Sequence, residues 1–156
     1  MEIIKSFKSE TAHIVRNAFS KRCSFSIHGH KYFFEVGIEG PIQADGMVLD
    51  FKRLSPITTF IDQFDHSTVL WEEEKEEVKD FFKSNFNRVL VMKKNPTAEN
   101  MVRLVAKFVS DWLKKEYDFC SLSFVRIWET DSGSARSKDF DDSDVFVSVS
   151  EECANG

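Results

Sequence analysis

The chain has 156 residues, 42% of them hydrophobic, with 16 Phe against 6 Gly and 3 Pro, which excludes a disordered protein and fits one domain with a large aromatic core. Its 21 Lys and Arg against 26 Asp and Glu give a net charge of -5, so the sequence supplies no broad positive field for a nucleic-acid backbone. The amino terminus MEIIKSFKSE lacks the apolar run of a secretory signal and no stretch reaches the length of a membrane span, so a cytoplasmic protein without membrane or nucleic-acid contacts is expected.

Residues 2–13 and 30–39 are rich in β-branched and aromatic side chains and predict two paired strands, joined by a polar stretch containing Arg16, Lys21 and Arg22. Within IHGHKYFFEV, residues 27–36, alternation places His28 and His30 on one face with Tyr32, Phe34, Val36 and Ile38, so both imidazoles look inward. Gly40 and Pro41 end the second strand, and GMVLDF adds a short apolar segment. Ser55-Pro56 then reads as an N-cap followed by a first-turn proline, opening a helix whose stripe is Leu54, Ile57, Ile61 and Phe64.

WEEEKEEVKDFF, residues 71–82, is helix-prone, with Glu72/Lys75 and Glu76/Lys79 spaced i, i+3. It reads as a solvated helix face more readily than as an acidic docking surface. RVLVM, residues 88–92, fits either a short strand or an extended connection. After Asn95-Pro96, the spacing of Met101, Leu104, Val105, Phe108, Val109 and Trp112 predicts an amphipathic helix. SLSFVRIWE and DVFVSVS predict two closing strands, separated by the polar TDSGSARSKDFDDS.

The order is ββααββ, which predicts an α+β fold: a four-stranded antiparallel sheet with helices packed on one face. One domain would span residues 1–150, with a helical insertion at about 71–88, and residues 151–156 would form a C-terminal tail. Pairing of sheet edges between subunits would be natural.

Three scattered cysteines do not read as a disulfide framework. Cys120 borders a strand and Cys153 lies in the polar tail, which leaves Cys23, beside Lys21 and Arg22 and close to the histidine pair, as the candidate for base or nucleophile chemistry. A free cysteine is also, more commonly, a small buried hydrophobe.

An isolated H-x-H describes ordinary core or surface histidines as well as metal ligands. His13, at the end of the first strand, would join His28 and His30 if the two strands pair at their histidine ends. Three imidazoles on a tetrahedral zinc leave one open position, the arrangement of a catalytic site. The fourth histidine, His66, follows Asp65 at the end of the first helix, where it would either favour the helix dipole or act as a general acid or base oriented by the carboxylate. Glu129 shares a strand face with Val125 and Ile127; it would pair with an arginine, or accept two parallel N–H donors from a purine-like or pterin-like ring.

Taken together, His13, Cys23-x4-His28-x-His30, GMVLDF, Asp65-His66, NPTAEN and WET, spread over residues 7 to about 135, resemble the 6-pyruvoyltetrahydropterin and 6-carboxytetrahydropterin synthase family of the tunnelling fold (T-fold). The resemblance implies Zn2+ on His13, His28 and His30, Cys23 as the proton-abstracting residue with Asp65 and His66 as its relay, and Glu129 as the anchor of the pterin ring. Thr97 matches the threonine of the family's Pro-Thr-x-Glu segment near the pterin; it is equally placed to serve a helix first turn.

The implied substrate is 7,8-dihydroneopterin triphosphate, and the implied assembly is a homohexamer of two stacked trimers with sites between neighbouring subunits. AHIVRN and IHGH stand closer to the carboxy branch, whose product leads toward 7-deazaguanine nucleosides such as queuosine. A pyruvoyl synthase and a noncatalytic zinc- or pterin-binding T-fold protein are the rival expectations. Cys23 and His28 are separated by four residues, between the spacings of the two enzymatic branches. STVLW after His66 and the acidic stretch that follows depart from the family pattern. Arg16, Lys21, Arg22 or Arg136 would meet the triphosphate.

Overall fold

Two long strands make the frame of the molecule, a computed structural model that describes residues 1–155. Strand β1 (Glu2–His13) and strand β2 (His28–Glu39) pair antiparallel along their whole lengths, from Glu2 opposite Glu39 to His13 opposite His28. Alternation turns Phe7, Ser9, Thr11 and His13 of β1, and Tyr32, Phe34, Val36 and Ile38 of β2, toward the core. The second strand starts at His28, two residues earlier than the composition alone suggests, so both histidines of the H-x-H belong to it.

The sheet has seven strands, in the order β6-β5-β2-β1-β3-β4-β7, which corrects the expected four-stranded antiparallel sheet. Strands β5 (Ser121–Trp128) and β6 (Ser134–Ser137) extend it antiparallel beyond β2. On the other side β3 (Ser67–Trp71) and β4 (Val89–Met92) pair parallel, and β7 (Phe146–Val149) closes the edge antiparallel to β4. Two of the additional strands, β3 and β6, escape the sequence pattern for different reasons. β3 is five residues of STVLW directly behind a helix, and β6 is the polar SARS, an edge strand defined by backbone pairing to β5 rather than by any buried face.

RVLVM is resolved as a strand. All four residues of β4 are buried, so the run carries no alternation from which its period could be read.

Helices α2 (Ser55–Asp62) and α4 (Ala98–Glu116) cover the inner face, where Leu54, Ile57, Ile61 and Phe64 meet Met101, Leu104, Val105 and Val109 of α4 and Phe34, Val36 and Ile127 of the sheet. Both predicted stripes are therefore core. Ser55 is not a cap: Asp50 accepts from the Lys52 amide (2.9 Å) to start a 3-10 turn, Phe51–Leu54, that runs directly into α2.

Helix α3 (Glu76–Asn85) connects the parallel pair β3 and β4 as a crossover. It does not join the other helices. Its Phe82 packs on Ile14, Leu70 and Val89, a small cluster separate from the main core that contains Val69 and Leu90, so α3 lies on the opposite face of the sheet. The expectation of helices on one face fails at this element.

The carboxyl end is likewise no loose tail. Short helix α5 (Glu151–Ala154) buries Cys153 in the main core, and Arg88 donates to the Glu152 carbonyl (2.7 Å). Gly156, the last residue of the expected tail, lies outside the described residues. Among the described residues no helix is long and apolar enough to cross a membrane.

Phe64 is fully buried where α2 ends, with its ring 5.8 Å from that of Phe34, 6.3 Å from Phe60 and 5.5 Å from Phe146. Phe64→Ala is expected to cost about 3 to 5 kcal/mol through the cavity it leaves, measured by urea unfolding. A loss below about 1 kcal/mol would show that the packing of α2 on the sheet is not what the burial implies.

Candidate metal centre

The β1–β2 register decides the site. His13 stands opposite His28, and His30 stands opposite Thr11 one inward position along, so the three imidazoles meet on the inner face at one end of the hairpin. Their candidate ligand nitrogens all lie within 4.8 Å of one another, the one three-residue group of this kind among the described residues. The ring centroids are 4.5 Å apart for His13 and His28, 5.4 Å for His13 and His30, and 5.3 Å for His28 and His30.

Hydrogen bonds around the rings fix which nitrogens face inward. His13 Nδ1 lies 2.8 Å from the Pro96 carbonyl and His28 Nδ1 lies 3.1 Å from the Ser26 carbonyl; a carbonyl only accepts, so both Nδ1 atoms carry protons. The two Nε2 atoms are then both acceptors, yet they face each other at 3.0 Å. Two lone pairs at that distance repel unless a proton or a cation sits between them. Burial drives the His13 imidazole from 6.5 down to about 4, against the opposing pull of the Pro96 carbonyl, and burial also lowers His30. Placing the bridging proton on His13 is therefore disfavoured, and imidazoles with outer-sphere carbonyl partners are the donor set that a borderline divalent metal such as zinc takes.

Glu129 follows β5 on the same face and joins the cluster. Its Oε1 accepts from the Tyr32 hydroxyl (3.1 Å) and lies 3.7 Å from His13 Nε2 and 3.9 Å from His30 Nε2. Among the described residues no arginine pairs with it. Tyr32, fully buried, touches both sides of the site, with its hydroxyl also 3.2 Å from His13 Nδ1. Burial and the Glu129 carboxylate push the Tyr32 phenol far above its usual value, so it stays a donor. Tyr32 was legible as an inward residue in the alternation, though nothing in the sequence marked it as a contact of Glu129. The Pro96 carbonyl carries no side-chain signal at all.

Cys23 lies half-buried in a four-residue helix, α1 (Lys21–Ser24), in the connection between His13 and His28. Its carbonyl accepts from the Val15 amide (3.2 Å). Lys21 and Arg22 are exposed. Thr97 caps α4, its hydroxyl accepting from the Asn100 amide (3.3 Å). Arg16, one of the candidates for phosphate contact, is already engaged: its Nε donates to Glu74 (2.6 Å) and its Nη1 to the Ser24 carbonyl (2.7 Å). Arg136 lies over the Phe124 ring at 4.2 Å.

Asp65 and His66 are placed elsewhere. The Asp65 carboxylate accepts from the Glu10 amide (2.8 Å) and from His66 Nδ1 (2.7 Å), and the His66 amide donates to the Glu10 carbonyl (2.7 Å). Burial alone would raise the Asp65 carboxyl, but the bonds from Glu10 and His66 outweigh it and hold it below the usual carboxylate range. Glu10 alternates with Thr11 and so belongs to the outer face, and His66 borders a depression at this edge with Glu10, Ala12, Lys31 and Thr68 and also with Thr11 and His30. Among the described residues no hydrogen bond joins this dyad to the three imidazoles, although His66 and His30 border the same depression.

An α+β fold with a mixed sheet thus sets an inward trio of imidazoles beside an acidic group, a donor set that could hold a divalent metal. A sequence model of the family described as 6-pyruvoyl tetrahydropterin synthase matches residues 2–139, and the chain belongs to that family. It is 31% identical, over 99% of its length and 82% of the relative's, to the 6-carboxy-5,6,7,8-tetrahydropterin synthase of Helicobacter pylori. It is 35% identical to the enzyme of the same name from Rickettsia felis over 51% of this chain and 59% of that one. The fold is shared with the 6-pyruvoyl tetrahydropterin synthase of Caenorhabditis elegans, at a TM-score of 0.65 and 22% identity over 89% of this chain and 95% of that one.

Purified protein titrated with Zn2+ against a chromogenic chelator is expected to take up one ion per chain, and His13→Ala or His28→Ala to weaken that uptake at least ~100-fold. Equal affinity in the His13→Ala protein would remove the histidine trio as the metal site.

Proposed function

We propose that the protein is a cytoplasmic, zinc-dependent 6-carboxy-5,6,7,8-tetrahydropterin synthase, which converts 7,8-dihydroneopterin triphosphate and water to 6-carboxytetrahydropterin, acetaldehyde and triphosphate on the way to 7-deazaguanine nucleosides such as queuosine. The observation that carries this reading is the convergence of His13, His28, His30 and Glu129 on one face of the sheet. The names of the curated relatives support the carboxy product over the pyruvoyl one.

In this reading His13, His28 and His30 hold the ion. When bound, zinc supplies Lewis-acid polarisation of a substrate side-chain oxygen. The Glu129 carboxylate accepts two parallel N–H donors from the pterin's guanidine-like edge, with the Tyr32 hydroxyl orienting it from the buried side. Thr97 stands at the start of α4 near the ring. The Cys23 thiolate removes a proton from the substrate side chain, and Asp65 and His66 relay it.

In this reading Asp65 and His66, which are bonded to Glu10 and to each other and to none of the three imidazoles among the described residues, act across a subunit boundary. Two free edges support an assembly. β1 is paired to β3 only over Thr11–His13, so Glu2–Ser9 have no strand neighbour on that side among the described residues, and β6 ends the sheet at the far side. A hexamer of two trimers is the assembly proposed.

Incubation with dihydroneopterin triphosphate is expected to release acetaldehyde in step with triphosphate, and Cys23→Ala to lower kcat by at least ~100-fold with zinc retained. A product that keeps both side-chain carbons would replace the carboxy reading with the pyruvoyl one, and no consumption of substrate would leave a binding protein.

The shared site has its own test. Cys23→Ala and His66→Ala chains, each inactive, are unfolded, mixed and refolded together. Turnover should return in the mixed oligomers. Mixed oligomers confirmed by native mass spectrometry that stay inactive would place the dyad and the thiol in the same chain or remove the dyad from the reaction.

A further inference from the structure

Of Glu72, Glu73, Glu74, Glu76 and Glu77, three are exposed as expected of a solvated acidic stretch, Glu72 is half-buried, and Glu74 alone is buried. Its side chain is 4% exposed, and both oxygens are engaged: Oε2 accepts from Arg16 Nε at 2.6 Å and Oε1 from the Lys75 amide at 2.9 Å. Burial raises the Glu74 carboxyl, but the Arg16 hydrogen bond and the Lys75 amide outweigh it, so the group remains a carboxylate. A carboxylate desolvated to this degree is tolerated only with a fixed partner.

Arg16 uses the orientation that Glu74 gives it. Three residues past His13, its Nη1 donates to the carbonyl of Ser24 at 2.7 Å, the last residue of α1, where the helix end offers an unpaired carbonyl to a cation. The neighbouring Val15 amide donates to the Cys23 carbonyl at 3.2 Å. Two successive carbonyls, those of Cys23 and Ser24, are thus tied to residues 15 and 16. The Arg16 carbonyl accepts from the Asn95 side chain, beside the Pro96 carbonyl that holds His13. Asn17, at φ 63°, turns the chain immediately after Arg16, so the guanidinium lies back across the turn rather than out to solvent.

We propose that Arg16 and Glu74 are positioning residues, a largely buried ion pair that clamps the turn carrying Cys23 to the β3–α3 connection and so sets where the thiol stands relative to the histidine trio. The proposal rests on Cys23 being the acting thiol. It gives the acidic stretch after β3 a part in the site, and it takes Arg16 away from the phosphates. Lysine cannot replace Arg16, since one ammonium does not reproduce two donors directed at Glu74 and Ser24 together.

The test compares wild type with Glu74→Gln, which keeps the side chain's shape and removes its charge. Iodoacetamide labelling of the zinc-loaded protein, resolved by peptide mass spectrometry, reads the Cys23 turn directly, with half-buried Cys120 as internal control. The expected result is a change of at least ~3-fold in the Cys23 labelling rate, none at Cys120, unchanged zinc content, and kcat down ~10-fold or more with KM within ~2-fold. Should that variant unfold, Arg16→Gln/Glu74→Gln, which leaves no lone buried charge, carries the same readouts.

Wild-type labelling and wild-type kcat would overturn the proposal. A changed labelling rate with full kcat would show a turn clamp without catalytic consequence, and loss of zinc would move the pair's role to the histidines; either overturns the positioning of Cys23. If Cys23→Ala protein turns over normally, the reading of the reaction fails on that measurement, while the labelling rate still reports whether the clamp exists.

Discussion

Two imidazole nitrogens that both accept and yet face each other at 3.0 Å are the constraint around which this molecule is arranged. The contact follows from the register of β1 on β2, which makes His13 and His28 directly opposed residues, and from two carbonyls, Pro96 and Ser26, that claim the outer ring protons. Each part alone is ordinary. Together they leave a site whose resting electrostatics call for a cation, in surroundings that disfavour placing the charge on His13 itself.

A hairpin that carries such a polar end must still supply a core, and it does so by dividing its length. From Phe7 opposite Phe34 toward Ile3 opposite Ile38 the inward residues are apolar except Lys5, whose ammonium reaches the Phe51 carbonyl, and the apolar ones pack under α2 and α4. From Ser9 onward they are polar, and each buried group has a partner: Ser9 bonds Thr11, Thr11 donates to the Phe64 carbonyl, and Tyr32 donates to Glu129. The apolar half makes the frame stiff; the polar half spends that stiffness on holding ring nitrogens in place.

What could be read from the sequence was what has a period. Alternation in β2 and the 3.6-residue stripe of α4 gave the frame and the inward direction of His28, His30 and Glu129, because burial of one face leaves a regular mark. β4 left none, being covered on both faces, and β6 left none, being polar and held by its neighbour's backbone. Glu74 was hidden differently. It sits among four glutamates of identical chemistry, three exposed and one half-buried, and only the fold, by placing Arg16 against it, separates it from them. Cys153 was misread for the same reason: polar neighbours concealed a side chain that the last short helix turns into the core.

The division of the sheet into two faces bears on how the proposed reaction is shared. His13, His28, His30 and Glu129 look toward α2 and α4, while Asp65 and His66 are fixed to the Glu10 backbone beside outer-face residues. The left-handed backbone of His66 (φ 54°) and the paired bonds to Glu10 make its position a built one, held firm where the ring itself is three-quarters exposed. An exposed imidazole, oriented by a carboxylate and anchored at an unpaired strand edge, is well made for presentation to another copy of the chain.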